Sequence, residues 1–392
     1  MALPKFLQTC AEDFETFVLD VIFERRRGKR ANLMRVLLTA LSQVFALGVQ
    51  LRLWCYRMRL LRYRTLGCLV VSVGNLTVGG TGKTPVVETF ARSLQRQGRK
   101  VAILSRGYKR HERPLLARIV ARLTLRHRAE PPLVVSDGKR LLLDSEFSGD
   151  EPYMLASNLP NVTVLVDKNR VKAGRYAITR LGCDTLILDD GFQYLPMKHR
   201  LDIVLVDRTN PFGNRQLLPR GILREPIRNI RRASFIFVTK SSGDGAPDLR
   251  KTLRELNPHA EISECRHCPR YLQDVYTGER KSLDFLRGLD IAAVSGIAVP
   301  KGFEDELGRL GAVVLYHKRY ADHHRYSQQE ILDVINRGLA RGARAVVTTE
   351  KDAVRFPMIE RRDLPLYFLR VEIELLSGAE DFNACIQRIC FR

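Results

Sequence analysis

The chain is short of most features that decide a protein's class at a glance. Its eight cysteines are scattered. Apart from Cys265-Arg-His-Cys268 and the pair Cys385 and Cys390, there is no second C-x-x-C to complete a zinc site, so they read as reduced cytosolic thiols. Cys265 and Cys268 read as an incidental spacing in a polar connection, not a redox or metal pair. There is no internal repeat and no low-complexity tract. Residues 1–30 run acidic and then basic, without the order of a cleavable signal peptide, so export is not expected. The apolar run 36–51 is short, roughly 24 Å as a helix against about 30 Å of bilayer hydrocarbon, and is not expected to span. Acidic residues are also scarce. Sixty-five Lys and Arg face 43 Asp and Glu, a net charge of +22.

Such a charge attracts an anionic partner without naming it. Nucleic acid, an anionic membrane face and a phosphorylated substrate all fit, with basic groups dense at 25–30, 52–64 and 220–232. No recognised RNA- or DNA-binding motif is present, so a nucleic-acid partner is not expected. Around the apolar run, Arg35, Thr39, Ser42, Gln43 and Gln50 fall on one helical stripe and arginines crowd both ends. That pattern fits an interfacial helix on a cytoplasmic membrane face. It equally fits an amphipathic helix packed on the protein's own core.

What the chain does have is Ser72-Val-Gly-Asn-Leu-Thr-Val-Gly-Gly-Thr-Gly-Lys-Thr-Pro85. Residues 69–73 read as a buried strand, Gly79, Gly80 and Gly82 free the loop backbone, and Pro85 suits a helix's first turn. In a strand–loop–helix of this kind, the amides of Thr77, Val78, Gly79, Gly80, Thr81 and Gly82 and the helix end surround phosphate oxygens. Lys83 then reaches the β- and γ-phosphates and the Thr84 hydroxyl can ligate Mg²⁺. The usual pattern has glycine where this chain has Thr77. The expected cofactors are a nucleoside triphosphate and Mg²⁺.

With 392 residues and 45% hydrophobic content, the chain is long enough for two α/β cores. Strand-like runs at 69–73, 101–104, 162–166, 185–188, 203–206 and 235–239 alternate with helical patterns, which predicts a mostly parallel sheet covered on both faces. A second series follows at 291–294, 313–315 and 345–348. Residues 110–146, with a basic amphipathic run at 115–128, look like an insertion. The expected organisation is an N-terminal helical region (1–64), a P-loop domain (65–245) and a smaller C-terminal α/β domain (246–392).

Leu186-Ile-Leu-Asp-Asp190-Gly191 is a strand ending in two carboxylates, where a P-loop enzyme holds Mg²⁺; Asp-Asp-Gly is also an ordinary turn. Gly149-Asp-Glu-Pro152 offers another acidic pair, with an N-cap as the alternative for Asp150. Arg224-Glu225-Pro226 can hold an anionic or hydroxylated substrate or form a solvated turn. Asp322-His323-His324 fits a metal site, a catalytic histidine or a plain loop, and one working histidine is preferred.

Taken in order, Gly74 to Pro85, Ser105-Arg-Gly-Tyr108, Gly149 to Pro152, Leu188-Asp-Asp-Gly-Phe-Gln193, Leu218-Pro219 with Leu223 to Pro226, Asp322-His323 and Thr349-Glu-Lys-Asp352 resemble the motifs of the tetraacyldisaccharide 4'-kinase family, the lipid A kinases of Gram-negative envelope synthesis. The resemblance implies transfer of the ATP γ-phosphoryl group to the 4'-hydroxyl of an acylated glucosamine disaccharide 1-phosphate. It places the reaction at the cytoplasmic face of the inner membrane, on a peripheral or monotopic protein meeting an anionic surface. It also implies Asp150 as general base with His323 as its partner, Asp189 and Asp190 at the metal, and Asn75, Arg170, Gln193, Arg224 and Glu225 near substrate. Where many relatives carry histidine after D-D-G-F-Q, this chain has Tyr194, and the N-terminal extension and the 110–146 segment exceed the family core. A P-loop ATPase switch regulating a membrane partner is the competing reading. A guanine-specific switch would need an Asn-Lys-x-Asp base reader, and Thr239-Lys-Ser-Ser242 lacks its aspartate. The sequence does not address oligomeric state.

Overall fold

The computed structural model describes residues 5–107 and 130–390; Tyr108 and the basic run 115–128 lie outside the described residues. The strands are β1 (Leu69–Asn75), β2 (Val101–Ser105), β3 (Leu133–Asp137), β4 (Thr163–Val166), β5 (Thr185–Asp189), β6 (Leu201–Asp207), β7 (Phe235–Thr239), β8 (Glu261–Asp274), β9 (Arg280–Lys281), β10 (Asp290–Ser295), β11 (Val313–Arg319), β12 (Ala345–Thr349) and β13 (Leu366–Ser377). They form one sheet in the order β11-β10-β12-β13-β8-β7-β6-β1-β5-β2-β4-β3, with β9 on β8. The pairs β3–β4, β8–β13 and β8–β9 are antiparallel and the others parallel.

The apolar runs expected from sequence are the central strands, and β2, β5 and β7 are buried along their whole length because helices cover both faces. The described helices are α1 (Lys5–Ile22), α2 (Lys29–Arg57), α3 (Lys83–Arg96), α4 (Ser145–Ser148), α5 (Asp150–Asn158), α6 (Arg170–Leu181), α7 (Pro247–Leu256), α8 (Pro300–Arg309), α9 (Gln328–Leu339), α10 (Glu350–Ala353) and α11 (Ala379–Cys390). Val87 and Phe90 of α3 pack with Phe235, Phe237 and Ile187 on one face. Ala173 and Ala177 of α6 pack with Leu104 and Leu188 on the other.

The sequence-based boundary near residue 245 falls between β7 and β8, which are neighbours in the sheet. Residues 261–264 of β8 pair with β7, while its later residues run antiparallel to β13, whose first residues pair with β12. These two long strands therefore stitch the halves together. The last helix, α11, returns to the first half: Phe382 meets Phe237 edge-on with centroids 5.8 Å apart, and Arg99 donates to the Cys390 carbonyl at 2.7 Å. Sequence periodicity missed β8 and β13 because their mixed polar residues lie outside the apolar runs. Cys265 and Cys268 sit within β8 and not in a connection; three residues apart on a strand, they face opposite sides. Burial pushes the Cys265 thiol up to about 12.

Helix α2 is longer than its apolar run, since the flanking arginines are good helix formers and continue it. By length and composition it is long enough to cross a membrane, and only 11% of its most apolar window is buried by the protein. Its Ala31, Leu38 and Ser42 are buried: the first two pack with Val21, and Ser42 donates to the Leu217 carbonyl at 3.0 Å. Leu33, Val36, Leu37, Val44, Leu47 and Leu51 stay exposed. The helix is therefore fixed along one stripe and uncovered elsewhere.

Candidate active site

The phosphate-binding loop leaves the C-terminal end of β1 and enters α3. Its outer side is fastened to the segment before Arg224: Val78 N–H donates to the Ile222 carbonyl and Arg224 N–H to the Leu76 carbonyl, both at 2.7 Å. Thr77 bridges Leu223 and has no positive φ, so a β-branched residue fits where the usual pattern has glycine. Gly82 is different. It caps α3 at φ 77°, and a Cβ there would lie 2.6 Å from His267 Nε2, which requires glycine. Thr239 Oγ1 donates to the Thr81 carbonyl at 2.9 Å, and buried Asn75 donates to Thr81 Oγ1 at 3.1 Å.

Lys83 Nζ reaches Asn75 Oδ1 at 3.3 Å and Asp190 Oδ1 at 3.0 Å. Arg224 Nη1 grips both Asp190 oxygens at 2.7 and 2.8 Å. Burial alone would raise the Asp190 carboxyl, but Lys83 and Arg224 hold it at about 2. Its neighbour behaves oppositely. Asp189 accepts from Ser105 Oγ at 3.1 Å, and burial, helped by the negative charge of Glu151, pushes it up to about 6. Arg170 Nη2 donates to the Asp189 carbonyl at 3.1 Å while its guanidinium lies 5.0 Å over the Tyr194 ring. Tyr194 thus serves as a platform for Arg170. Gln193 Nε2 donates to the Asn75 carbonyl at 3.0 Å.

No group of three or more His, Cys, Asp and Glu is close enough to hold a metal among the described residues. Mg²⁺ needs few protein ligands, because it keeps several waters and binds substrate phosphates. Asp189 is raised by burial and by its carboxylate neighbours Glu151 and Asp190, an imbalance that a divalent cation relieves. Thr84, in the first turn of the phosphate-binding helix, offers the hydroxyl that such an ion takes. The donor set fits Mg²⁺.

The second cluster is assembled from distant segments. Gly149, at φ 92°, separates α4 from α5 and is itself the N-cap, so Asp150 does not cap the helix. Its buried carboxylate accepts at Oδ2 from Arg355 Nε at 2.8 Å and meets His323 Nδ1 at 3.1 Å; Arg325 Nη2 lies 3.6 Å from Oδ1. Burial raises this carboxyl, yet the His323 hydrogen bond and the Arg355 charge bring it below its usual range. His323 is turned inward by a left-handed backbone, φ 65°, and its Nε2 lies 3.3 Å from Lys351 Nζ. Asp352 is fully buried and accepts from Gly296 N–H at 3.0 Å, Tyr326 Oη at 2.9 Å and Arg355 Nη1 at 3.2 Å. His324 diverges to Glu330 at 3.0 Å and stacks on Tyr320.

The fold therefore brings together Asn75, Lys83, Asp190, Arg224 and Gln193, sets Asp189 and Arg170 beside them, and joins Asp150 to His323. Glu151, next to Asp150, acts electrostatically on Asp189 and so connects the two groups. Glu225 is not among them: it is buried, bound to Arg232 at 2.9 Å and to Asn229 at 2.7 Å. Sequence reasoning passed over Arg355, whose only sign was its place three residues beyond Asp352.

A phosphate loop at the end of a parallel strand, a lysine and paired aspartates behind it, and a buried carboxylate–imidazole pair define an ATP-dependent P-loop phosphotransferase. The profile of the family described as Tetraacyldisaccharide-1-P 4'-kinase matches residues 34–390. A tetraacyldisaccharide 4'-kinase of Anaeromyxobacter dehalogenans (strain 2CP-C) is 40% identical over 375 residues, 94% of each chain. One of Halothermothrix orenii is 33% identical over 391 residues, covering 95% of this chain and 97% of the relative. A crystal structure described as the "apo" form of LpxK from Aquifex aeolicus in complex with ATP matches with a TM-score of 0.69 at 28% identity, covering 91% of this chain and 100% of that one. The chain belongs to the tetraacyldisaccharide-1-phosphate 4'-kinase family, and its activity is that of a tetraacyldisaccharide 4'-kinase in lipid A biosynthesis.

Proposed function

We propose that ATP lies on the loop Thr77 to Thr84 and that the 4'-hydroxyl of the acylated glucosamine disaccharide 1-phosphate approaches from the Asp150 side. Backbone amides of the loop and the N-terminus of α3 hold the β-phosphate, and Lys83 neutralises charge on the transferring phosphoryl group. Asp150 takes the proton as the hydroxyl oxygen bonds to the γ-phosphorus and ADP leaves. His323 orients this carboxylate and shares the developing positive charge. Arg355 keeps Asp150 ionised and so ready to accept. Thr84, Asp189 and Asp190 would hold Mg²⁺, which supplies charge neutralisation at the phosphates. Arg170, Gln193 and Arg224 act on substrate through the groups they anchor. The observation that carries the reading is the 3.1 Å contact between Asp150 and His323, two residues that no local sequence relation brings together.

The apolar face of α2, uncovered beside arginine-rich ends, supports docking on an anionic cytoplasmic membrane surface, with the Ser42 stripe fixed to the protein so that the helix lies in the interface. In this reading residues 1–64 bring the kinase to its lipid, 65–245 bind ATP and 246–392 complete the acceptor side. The test is incubation of the full chain with γ-labelled ATP, Mg²⁺ and tetraacyldisaccharide 1-phosphate in detergent micelles. Labelled lipid from wild type and a loss on the order of 10²-fold or more for Asp150→Ala is expected. ATP hydrolysis without labelled lipid contradicts the reading and favours a switch ATPase.

A further inference from the structure

Arg370 of β13 is the largest fully buried side chain among the described residues, 2% exposed, and it holds carboxylates from two different elements. Its Nη1 donates to both oxygens of Glu350 at 2.8 Å, and its Nη2 donates to Glu88, with Glu372 3.5 Å away. Glu88 belongs to α3, just beyond the phosphate loop, and is also held by Arg92 at 2.6 Å. Glu350 opens the short α10, whose next residues are Lys351, in contact with His323, and Asp352, in contact with Arg355. Glu350 also accepts from Asn158 Nδ2 at 2.5 Å, and Asn158 is the last residue of the helix that Asp150 begins.

One guanidinium therefore ties the helix that carries Lys83 to α10, whose Lys351 contacts His323, and through Glu350 and Asn158 to the far end of the helix that Asp150 begins. Stability does not account for it. A buried Glu–Arg–Glu trio is commonly no better than apolar residues of the same volume, because desolvation of each charge offsets the pairing. What the trio provides is direction: a planar fork fixes two carboxylates at set angles, which neither an apolar trio nor a lysine does.

We infer that Arg370 is a positioning residue for phosphoryl transfer, setting the register between the ATP-holding helix α3 and the Asp150–His323 pair through Glu88, Glu350 and Asn158. It touches neither ATP nor the acceptor. The inference rests on the reading of Asp150 and His323 as the proton-accepting pair.

The test is Arg370→Lys, which keeps the positive charge among the carboxylates but loses the planar fork that sets their angles. Expected are a cooperative melt, a Kd for ATP and a KM for the lipid within about twofold of wild type, and a kcat lower by about tenfold or more, as small misplacement of reacting groups produces. A charge-neutral variant of similar volume, Glu88→Gln with Arg370→Met and Glu350→Gln, is expected to fold and to show the same selective loss of kcat. A wild-type kcat in either folded variant overturns the proposal. So does an ATP affinity that falls as far as kcat, which is the mark of general loosening, or a failure of both variants to fold, which makes Arg370 structural. Asp150→Asn is assayed alongside: if it keeps wild-type kcat, the proton-acceptor reading fails, whatever Arg370→Lys shows.

Discussion

The two halves of this site are built in opposite ways. The ATP side is nearly contiguous: a strand end, a loop and a helix start within one short stretch supply Asn75, Lys83 and Thr84, the end of β5 adds Asp189 and Asp190, and the loop after β6 adds Arg224. The acceptor side has no such unit. Asp150, His323, Asp352 and Arg355 meet only because β8 and β13 carry one sheet through both halves of the chain. The electrostatics differ too. Asp190 is partly exposed and neutralised by two partly buried cations, whereas Asp150 depends on Arg355, whose side chain is wholly buried. A contiguous site tolerates change around it, and a distributed site is sensitive to whatever holds its segments together.

Lys83→Met should separate the halves most sharply. Label transfer is expected to fall on the order of 10³-fold, with the melting temperature nearly unchanged, since Arg224 still holds both oxygens of Asp190 when Lys83 is gone. Arg355→Met should do the reverse. Asp150 and Asp352 would be left buried without their cation, so thermal unfolding should show a loss of about 3–5 kcal/mol. In whatever folds, Asp150 loses a charge that lowers its carboxyl, so the acidic limb of the kcat profile should move to higher pH. A variant that melts like wild type with an unmoved pH profile would remove the contrast.

Asp189 gives a gentler test on the ATP side. Its carboxyl, raised to about 6, is protonated below that pH and ionised above it. The Mg²⁺ concentration for half-maximal transfer should therefore rise as pH falls through about 6, and Asp189→Asn should abolish that dependence. An Mg²⁺ requirement flat from pH 5 to 8 would count against Asp189 as a ligand. The smallest kinetic effect is expected for Glu225→Gln. With its carboxylate held by Arg232 and Asn229, kcat and KM should stay within about twofold, while stability falls by about 1–3 kcal/mol.

How much of this was legible in the sequence follows the same division. The phosphate loop could be read because its chemistry and its geometry share one stretch, and the structure shows why Thr77 is accommodated there. Asp150 and His323 became legible through the order of motifs in the family resemblance; their spacing left an N-cap and a plain loop as alternatives. Arg355 was not legible, since its partner Asp150 lies two hundred residues earlier and a lone arginine after Asp352 carries no pattern. Glu225 looked like a substrate group beside Arg224, but its short-range bonds to Asn229 and Arg232 turn it into the protein. The continuity of the sheet was hidden because β8 and β13 mix polar and apolar residues, with bulges that break a simple period.

The central claim is that Asp150 and His323 act as one proton-accepting unit facing ATP held by Lys83. A double-mutant cycle on kcat tests it most directly, with Asp150→Asn, His323→Asn and the double variant assayed at saturating ATP and lipid, each checked for ATP binding. The account predicts that ATP affinity survives in all three and that the double variant is no slower than Asp150→Asn alone, because the second change removes a partner that no longer has work to do. Losses that multiply, so that the double variant is slower by the product of the two single effects, would show two independent residues and contradict the account.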